Sequence, residues 1–118
     1  MIIKLSNNET DIQILFDYLK DVDRDFETPL SLKVNLSEFA RKTLSNGHAF
    51  MVREDDKYVA LVTLYCNDKV NVKAFLPILS VKECYRGKGY ARQLVNIAIN
   101  MSRLYEMKTV NVDSVNPI

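Results

Sequence analysis

The sequence has few of the residues that build cross-links and metal centres. Its 118 residues include two cysteines, Cys66 and Cys84, one histidine, His48, and no tryptophan. No Cys-x-x-Cys pair occurs, so neither a zinc site nor a dithiol redox motif is expected, and we predict no metal. Two isolated cysteines are more typical of reduced thiols than of a disulfide framework.

An excess of charge of one sign and a long apolar run are also missing. The formal net charge is +1, so no global field would recruit nucleic acid or an anionic membrane. No apolar stretch approaches the roughly 20 residues needed to cross a bilayer. The first residues, MIIKLSNNETD, lack the basic and apolar regions of a signal peptide. We therefore expect a cytoplasmic protein with neither a nucleic-acid nor a membrane partner.

What remains is an ordinary globular composition, with 47% hydrophobic and 26% charged residues. The length predicts a single domain over residues 1–118. Residue periodicity predicts a strand at IIKL, two helices, three strands, a long helix over about residues 89–104 and a final strand at MKTVNVDSV. The final strand–helix–strand unit should pair its two strands in parallel.

Polar residues and glycine mark the expected ends of the first two helices. Thr10 resembles a helix N-cap, with Gln13 completing a capping box. Ser37 is expected to start the second helix, and Gly47 to end it in the left-handed conformation. Pro77 lies inside the third strand of the central run, where it cannot donate a ladder hydrogen bond, so we expect a bulge there.

Two of the three glycines lie close together in SVKECYRGKGYARQLV. Gly87 and Gly89 follow a predicted strand and precede a predicted helix, among the basic residues Arg86, Lys88 and Arg92. Glycine lets backbone amides approach a ligand, and a helix N-terminus carries unpaired N–H groups and partial positive charge. This loop is therefore expected to bind an anionic group, with the basic side chains acting either as its rim or as a solvated surface.

The motif fits neither the triphosphate-loop nor the dinucleotide glycine pattern. Arg86-x-x-Gly89-x-Ala91 instead matches Q/R-x-x-G-x-G/A, the acyl-CoA pyrophosphate motif, and Val81 lies five residues before the arginine. Over about residues 47–116 the chain resembles the GNAT superfamily of acyl-CoA-dependent N-acyltransferases. The order of elements before that region is similar to the family's as well.

The resemblance implies an α/β fold with a mixed, mostly antiparallel, twisted sheet, helices on both faces and a short C-terminus. It also implies transfer of an acetyl group from acetyl-CoA to a primary amine. The alternative is a non-catalytic acyl-CoA-binding or regulatory module. A third hypothesis, a single-strand nucleic-acid binder that uses YRGKGYAR, is disfavoured by the single short basic patch.

The resemblance further assigns the site residue by residue. The strand before the loop should splay from its parallel neighbour, so that the backbone of Leu79 and Val81 pairs with the pantetheine arm. The N–H group of Leu79 would be the oxyanion donor, and Asn116 would approach the thiol. The implied cofactor-binding set is Leu79, Val81, Arg86, Gly87, Lys88, Gly89, Tyr90, Ala91, Arg92 and Asn116.

The sequence departs from the family pattern at two places. Pro77 stands where relatives often hold a glutamate base, and the tyrosine that usually reaches the thiol has no counterpart before Ile118. The chain is then a truncated piece, a naturally short protein or a part completed by another subunit. An exposed last strand would favour a homodimer.

Residues for the acceptor side are only weakly indicated. Tyr65 and Cys66 are candidates at a strand end, although a small buried hydrophobe is the more common role of cysteine. Asp23, Asp25 and Glu27 could attract a cationic amine, but a solvated charge run is the favoured interpretation.

Overall fold

The computed structural model describes residues 1–115, with side chains through residue 112. The predicted order of strands and helices is confirmed. The elements are β1 (Ile2–Lys4), α1 (Glu9–Val22), α2 (Leu36–Asn46), β2 (His48–Glu54), β3 (Lys57–Asp68), β4 (Lys73–Val81), α3 (Tyr90–Leu104) and β5 (Thr109–Val115), with 3-10 turns at Asp23–Asp25, Leu30–Leu32 and Glu83–Tyr85.

The five strands form one sheet in the order β1-β2-β3-β4-β5. The first three pairings are antiparallel and β4 pairs with β5 in parallel. The turn between β2 and β3 uses Asp55 and Asp56 in the left-handed region, with φ of 51° and 62°. The sheet is thus mixed and mostly antiparallel, as the resemblance implied.

Helices cover both faces of this sheet, which also confirms the predicted architecture. Successive strand residues point to opposite faces, so the same strands supply two cores. The core under α1 and α2 contains Leu15, Leu19, Ala40, Leu44, Met51, Leu61 and Ile78. The core under α3 contains Val52, Val62, Leu64, Leu76, Leu79, Leu94 and Ala98.

The predicted starts of α1 and α2 were wrong, and asparagine is the reason in both cases. The side chain of Asn8, not that of Thr10, caps α1 by accepting a hydrogen bond from the N–H of Asp11 at 2.8 Å. Asn35, rather than Ser37, caps α2 in the same way. Asparagine is as good an N-cap as serine or threonine, so several polar residues compete for each boundary.

Gly47 does not adopt the predicted left-handed conformation. Its φ of −138° and ψ of −155° are extended, so backbone strain does not require glycine there. Space does require it. A Cβ atom at this position would lie 2.6 Å from the carbonyl oxygen of Leu64 and 2.9 Å from the ring of Tyr65. Gly47 therefore lets the end of α2 approach β3 closely.

The bulge expected at Pro77 is present on the β3 side of β4. The register pairs Val62 with Leu79 but Tyr65 with Phe75, a shift of one residue. Both Pro77 and its successor Ile78 face the α1–α2 side of the sheet: Pro77 lines a cavity there and Ile78 belongs to the core. Two consecutive residues on one face are the mark of a bulge.

The bulge leaves the N–H of Ile78 without a ladder carbonyl, and the buried Thr63 hydroxyl replaces it. Thr63 Oγ1 accepts this hydrogen bond at 3.1 Å. We expect Thr63→Val to lower the free energy of unfolding by about 1.5 kcal/mol, because a buried N–H loses its acceptor. Urea denaturation measures this difference. Thr63→Ser keeps the acceptor and serves as the control, and a valine variant as stable as the wild type would show that Ile78 has another partner.

Candidate active site

The loop between β4 and α3 is shaped by two glycines in the left-handed region. Gly87 has φ of 83°, and Gly89, the N-cap of α3, has φ of 87°. Residues other than glycine adopt this conformation at a cost. A Cβ atom at either position would meet nothing within 4 Å. The glycines are therefore needed for conformation, and the loop borders open space that a ligand can occupy.

The backbone amides of this loop and of the first turn of α3 are largely unpaired within the described residues. The N–H of Gln93 donates to the carbonyl of Gly89 at 3.1 Å and opens the helical ladder. Within residues 1–115 no protein acceptor is found for the N–H groups of residues 87–92. The N–H of Arg86, just before these residues, does have an acceptor, since it donates to the carbonyl of Glu83 at 3.3 Å. Unpaired amides beside a helix N-terminus form a site for an anion.

A cavity of about 380 Å³ lies directly against these amides. Its volume falls at the low end of the roughly 300–1,000 Å³ typical of small-molecule sites. Six members of the predicted cofactor-binding set line it, together with Tyr85. The lining residues are Val81, Tyr85, Gly87, Gly89, Tyr90, Ala91 and Arg92.

The side chain of Arg86 does not extend from the rim of the loop. Its Nε donates to the carbonyl oxygen of Val81 at 3.0 Å, and its Nη2 lies 3.7 Å from the carboxylate of Asp25. Only 22% of this side chain is exposed. Arg86 thus fastens the loop to the end of β4.

Lys88 and Tyr90 are held by Glu54 at the end of β2. Lys88 Nζ lies 3.2 Å from one Glu54 oxygen, and the Tyr90 hydroxyl donates to the other. The Tyr90 hydrogen bond and the Lys88 ammonium lower the pKa of the Glu54 carboxyl. Arg92 is exposed and makes no ion pair within the part of the chain that the structure describes. It is therefore the basic side chain best placed to meet an incoming anion.

The splay predicted between β4 and β5 is not found at Leu79. This residue pairs with Val62 on one side and with Val115 on the other. The bulge explains the difference, because it interrupts pairing with β3 and leaves the β5 register continuous from Lys73 to Leu79. Leu79 therefore has a pairing partner in each neighbouring strand, and its role as oxyanion donor stays a prediction.

Val81 and Asn116 are the other two predicted residues outside the glycine loop. Val81 pairs with Ala60 of β3, and its carbonyl accepts the Arg86 hydrogen bond. Its side chain is buried but lines the smaller cavity. Asn116, implied to approach the thiol, lies outside the described residues.

A second and larger cavity, of about 870 Å³, lies on the opposite face of β4, beside α2. We call it the α2 cleft. Its lining residues are Leu30, Lys33, Val34, Asn35, Glu38, Phe39, Lys42, Asn46, Tyr65, Asn67, Asp68, Phe75 and Pro77. Tyr65 lines it, whereas Cys66 is buried in the α3 core on the other face.

Sequence reasoning missed the contribution of α2 to this cleft. Asn35, Glu38, Phe39, Lys42 and Asn46 recur at intervals of three and four residues, so they share one side of the helix. This largely polar side of α2 lies opposite its buried side. It was the sequence signal that could have revealed the cleft.

Of the three acidic loop residues, Asp23 and Asp25 have structural partners, and none of the three lines the cleft. Asp23 accepts a hydrogen bond from the N–H of Ser31 at 2.8 Å, and Asp25 pairs with Arg86. These contacts join the segment after α1 to the next 3-10 turn and to the loop between β4 and α3. Asp23 and Asp25 therefore act as loop fasteners.

The described residues contain no cluster of three His, Cys, Asp or Glu side chains that could hold a metal ion. Over the same residues, every helix is too short or too polar to span a membrane.

The sequence model of the Acetyltransferase (GNAT) family matches residues 13–117. The chain belongs to the GNAT acetyltransferase family. No curated protein matches it in sequence. The family's glycine motif coincides with the unpaired amides at the start of α3, so family membership and local geometry point to the same loop.

Solved structures of GNAT proteins share this fold at low identity. A ribosomal-protein-alanine N-acetyltransferase from Brucella melitensis biovar Abortus 2308 is 16% identical with a TM-score of 0.71, over 96% of this chain and 79% of that one. A predicted acetyltransferase from Clostridium acetobutylicum, solved with acetyl-CoA, is 15% identical with a TM-score of 0.73, over 95% and 80%.

An aminoglycoside acetyltransferase from an uncultured soil metagenomic sample, solved in complex with sisomicin, is 19% identical with a TM-score of 0.71, over 96% and 76%. At such identities the similarity shows the fold alone. These GNAT structures differ in the acceptors that their names give, a ribosomal-protein alanine and an aminoglycoside.

Proposed function

We propose that this GNAT protein transfers an acetyl group from acetyl-CoA to a primary amine. The observation that carries the proposal is the row of unpaired backbone N–H groups at residues 87–92, which borders a cavity at the N-terminus of α3. These amides and Arg92 would bind the diphosphate of the donor. Residues at this loop match the family's pyrophosphate motif at Arg86, Gly89 and Ala91.

The two cavities give the donor and the acceptor separate entrances. Val81 lines the smaller cavity and Pro77 lines the α2 cleft, four residues earlier on the same strand and on the opposite face of the sheet. At roughly 3.3 Å per residue the two positions are about 13 Å apart along β4. A donor arm that follows β4 must separate Leu79 from β5 to bring its thioester from one entrance towards the other.

In the proposed reaction a neutral amine nitrogen attacks the thioester carbonyl carbon. A C–N bond forms, the C–S bond breaks, the CoA thiolate leaves and takes up a proton, and the amine nitrogen loses one proton to solvent. A lysine-like amine has a pKa of about 10.4, so at neutral pH most of it must first be deprotonated. Pro77 supplies no carboxylate for this step.

A non-catalytic acyl-CoA-binding module is the second candidate function. It is favoured by the pairing of Leu79 with strands on both sides, which leaves its N–H within a sheet instead of a splayed gap. The two candidates make the same use of the glycine loop. They differ only in whether bound thioester is turned over.

Two measurements on the same protein test the proposal. Isothermal titration calorimetry with CoA should show binding, and release of free thiol from acetyl-CoA should rise when primary amines are added. Binding without amine-dependent thiol release would favour the second candidate. Absence of CoA binding would overturn the assignment of the glycine loop and both candidates with it.

A further inference from the structure

The α2 cleft combines an aromatic wall with an unusual set of free charges. Lys33, Lys42 and Glu38 line it, and none of them forms an ion pair within residues 1–115. Asp68 is different, because its two carboxylate oxygens accept hydrogen bonds from the backbone N–H and the side chain of Asn71 at 3.0 and 3.2 Å. The cleft is therefore lined by two ammonium groups without ion pairs and by two carboxylates, of which that of Asp68 is held by hydrogen bonds.

The apolar part of the cleft comes from rings on three elements. Phe39 of α2, Tyr65 of β3 and Phe75 of β4 line it, and Pro77 continues the wall towards the bulge. Phe75 is 40% exposed although it lies within a strand. An exposed aromatic ring in a concave site is a contact surface for an apolar ligand group.

The position of Tyr65 in this wall is fixed by its neighbours. Its hydroxyl lies 3.3 Å from Oγ1 of the buried Thr43, and its ring packs where Gly47 has no side chain. The wall is therefore preformed at the end that borders β3. A preformed wall reduces the entropy lost when a ligand binds.

We propose that the acceptor is an amino acid with an apolar side chain. This inference rests on the proposed acetyl transfer. The side chain would pack against Phe39, Tyr65 and Phe75, and the carboxylate would pair with Lys33 and Lys42. The α-amine would then be directed towards Pro77 and the strand that leads to the donor site.

The same charges give a polycationic acceptor such as an aminoglycoside no net attraction. Each added ammonium group would be repelled by Lys33 and Lys42 and attracted by Glu38 and Asp68. An aminoglycoside also has no apolar side chain to pack against Phe39, Tyr65 and Phe75.

The test compares L-phenylalanine with L-phenylalaninol, which keeps the ring and the amine but replaces the carboxylate by a neutral hydroxymethyl group. For amine-dependent thiol release we expect kcat/KM to be about tenfold higher for the acid, since two exposed ion pairs of modest strength are lost in the alcohol. Sisomicin should be the poorest of the three acceptors. An alcohol or an aminoglycoside that matches or exceeds the acid would overturn the proposal.

Variants of the chain then assign the preference to the two lysines. The double substitution Lys33→Gln and Lys42→Gln should remove most of the acid-over-alcohol ratio, so that it falls to about one- to twofold. The matched control, Lys4→Gln with Lys20→Gln, removes the same charge from exposed positions outside the cleft and should leave the ratio unchanged. An unchanged ratio in the cleft variant would contradict the assignment.

Binding without turnover separates this inference from the proposed transfer. Saturation-transfer NMR with CoA present reports contact of L-phenylalanine or L-phenylalaninol with the protein whether or not acetyl transfer occurs. Stronger binding of the acid, lost in the double cleft variant, would support the acceptor class even if no thiol were released. Equal binding of acid and alcohol would overturn it even if an amine were acetylated.

Discussion

Gly89→Asp is expected to abolish CoA binding, with a loss of affinity of at least about a hundredfold, equivalent to roughly 2.7 kcal/mol. The new carboxylate would stand beside the unpaired amides at residues 87–92 and repel the donor diphosphate. Two like charges about 4 Å apart repel by about 4 kcal/mol at an effective dielectric constant near 20, so the expected loss is within reach of a single charge. Calorimetric titration with CoA measures it.

Gly89→Asn is the matched control, since asparagine has the same shape without the charge. Both residues tolerate the left-handed conformation better than other side chains do, which suits the φ of 87° at this position. A Cβ atom there meets no protein atom, so both variants should fold. The asparagine variant should bind CoA far better than the aspartate variant. Unchanged affinity in Gly89→Asp would place the diphosphate elsewhere.

The glycine loop and the order of elements were predictable because their signals are local. Gly87 and Gly89 are close in sequence and are both required by positive φ. Alternating and helical spacings act within a few residues, and the parallel pairing of β4 with β5 follows from a single strand–helix–strand unit. The bulge at Pro77 was predictable for the same reason, since proline lacks the N–H that the ladder needs.

The surroundings of the loop were not predictable, because they depend on contacts between distant residues. Arg86 meets Asp25 and Lys88 meets Glu54, pairs that are far apart in the sequence. A basic residue beside a glycine motif carries no sign of which carboxylate folding will bring to it. Two of the three basic side chains thus have internal partners, and the backbone carries more of the proposed anion site than the composition indicated.

The pairing at Leu79 shows the same limit for backbone contacts. A proline predicts a bulge but not the side of the strand on which pairing is interrupted. The buried Thr63 hydroxyl decides this by accepting the N–H of Ile78, which keeps the irregularity next to β3. The parallel pairing of β4 with β5 then continues as far as Val115.

Gly47→Ala is expected to destabilise the fold by about 2 kcal/mol. The added methyl would lie 2.6 Å from the carbonyl oxygen of Leu64 and 2.9 Å from the ring of Tyr65. Because a backbone atom must move, the cost falls near the upper end of the range for overpacking, about 3 kcal/mol. Alanine also lowers the conformational entropy of the unfolded chain, which stabilises the fold by less than about 1 kcal/mol, so the clash dominates. Urea denaturation measures the net change.

The same substitution should also disturb the α2 cleft, because the Tyr65 ring that meets the new methyl forms part of its wall. Ser45→Ala, on the exposed last turn of α2, is the control and should leave stability within about 0.5 kcal/mol of the wild type. CoA affinity should survive in Gly47→Ala, since the glycine loop lies at the N-terminus of α3, on the opposite face of the sheet. A variant as stable as the wild type would mean that α2 and β3 do not approach as closely as the 2.6 Å contact requires.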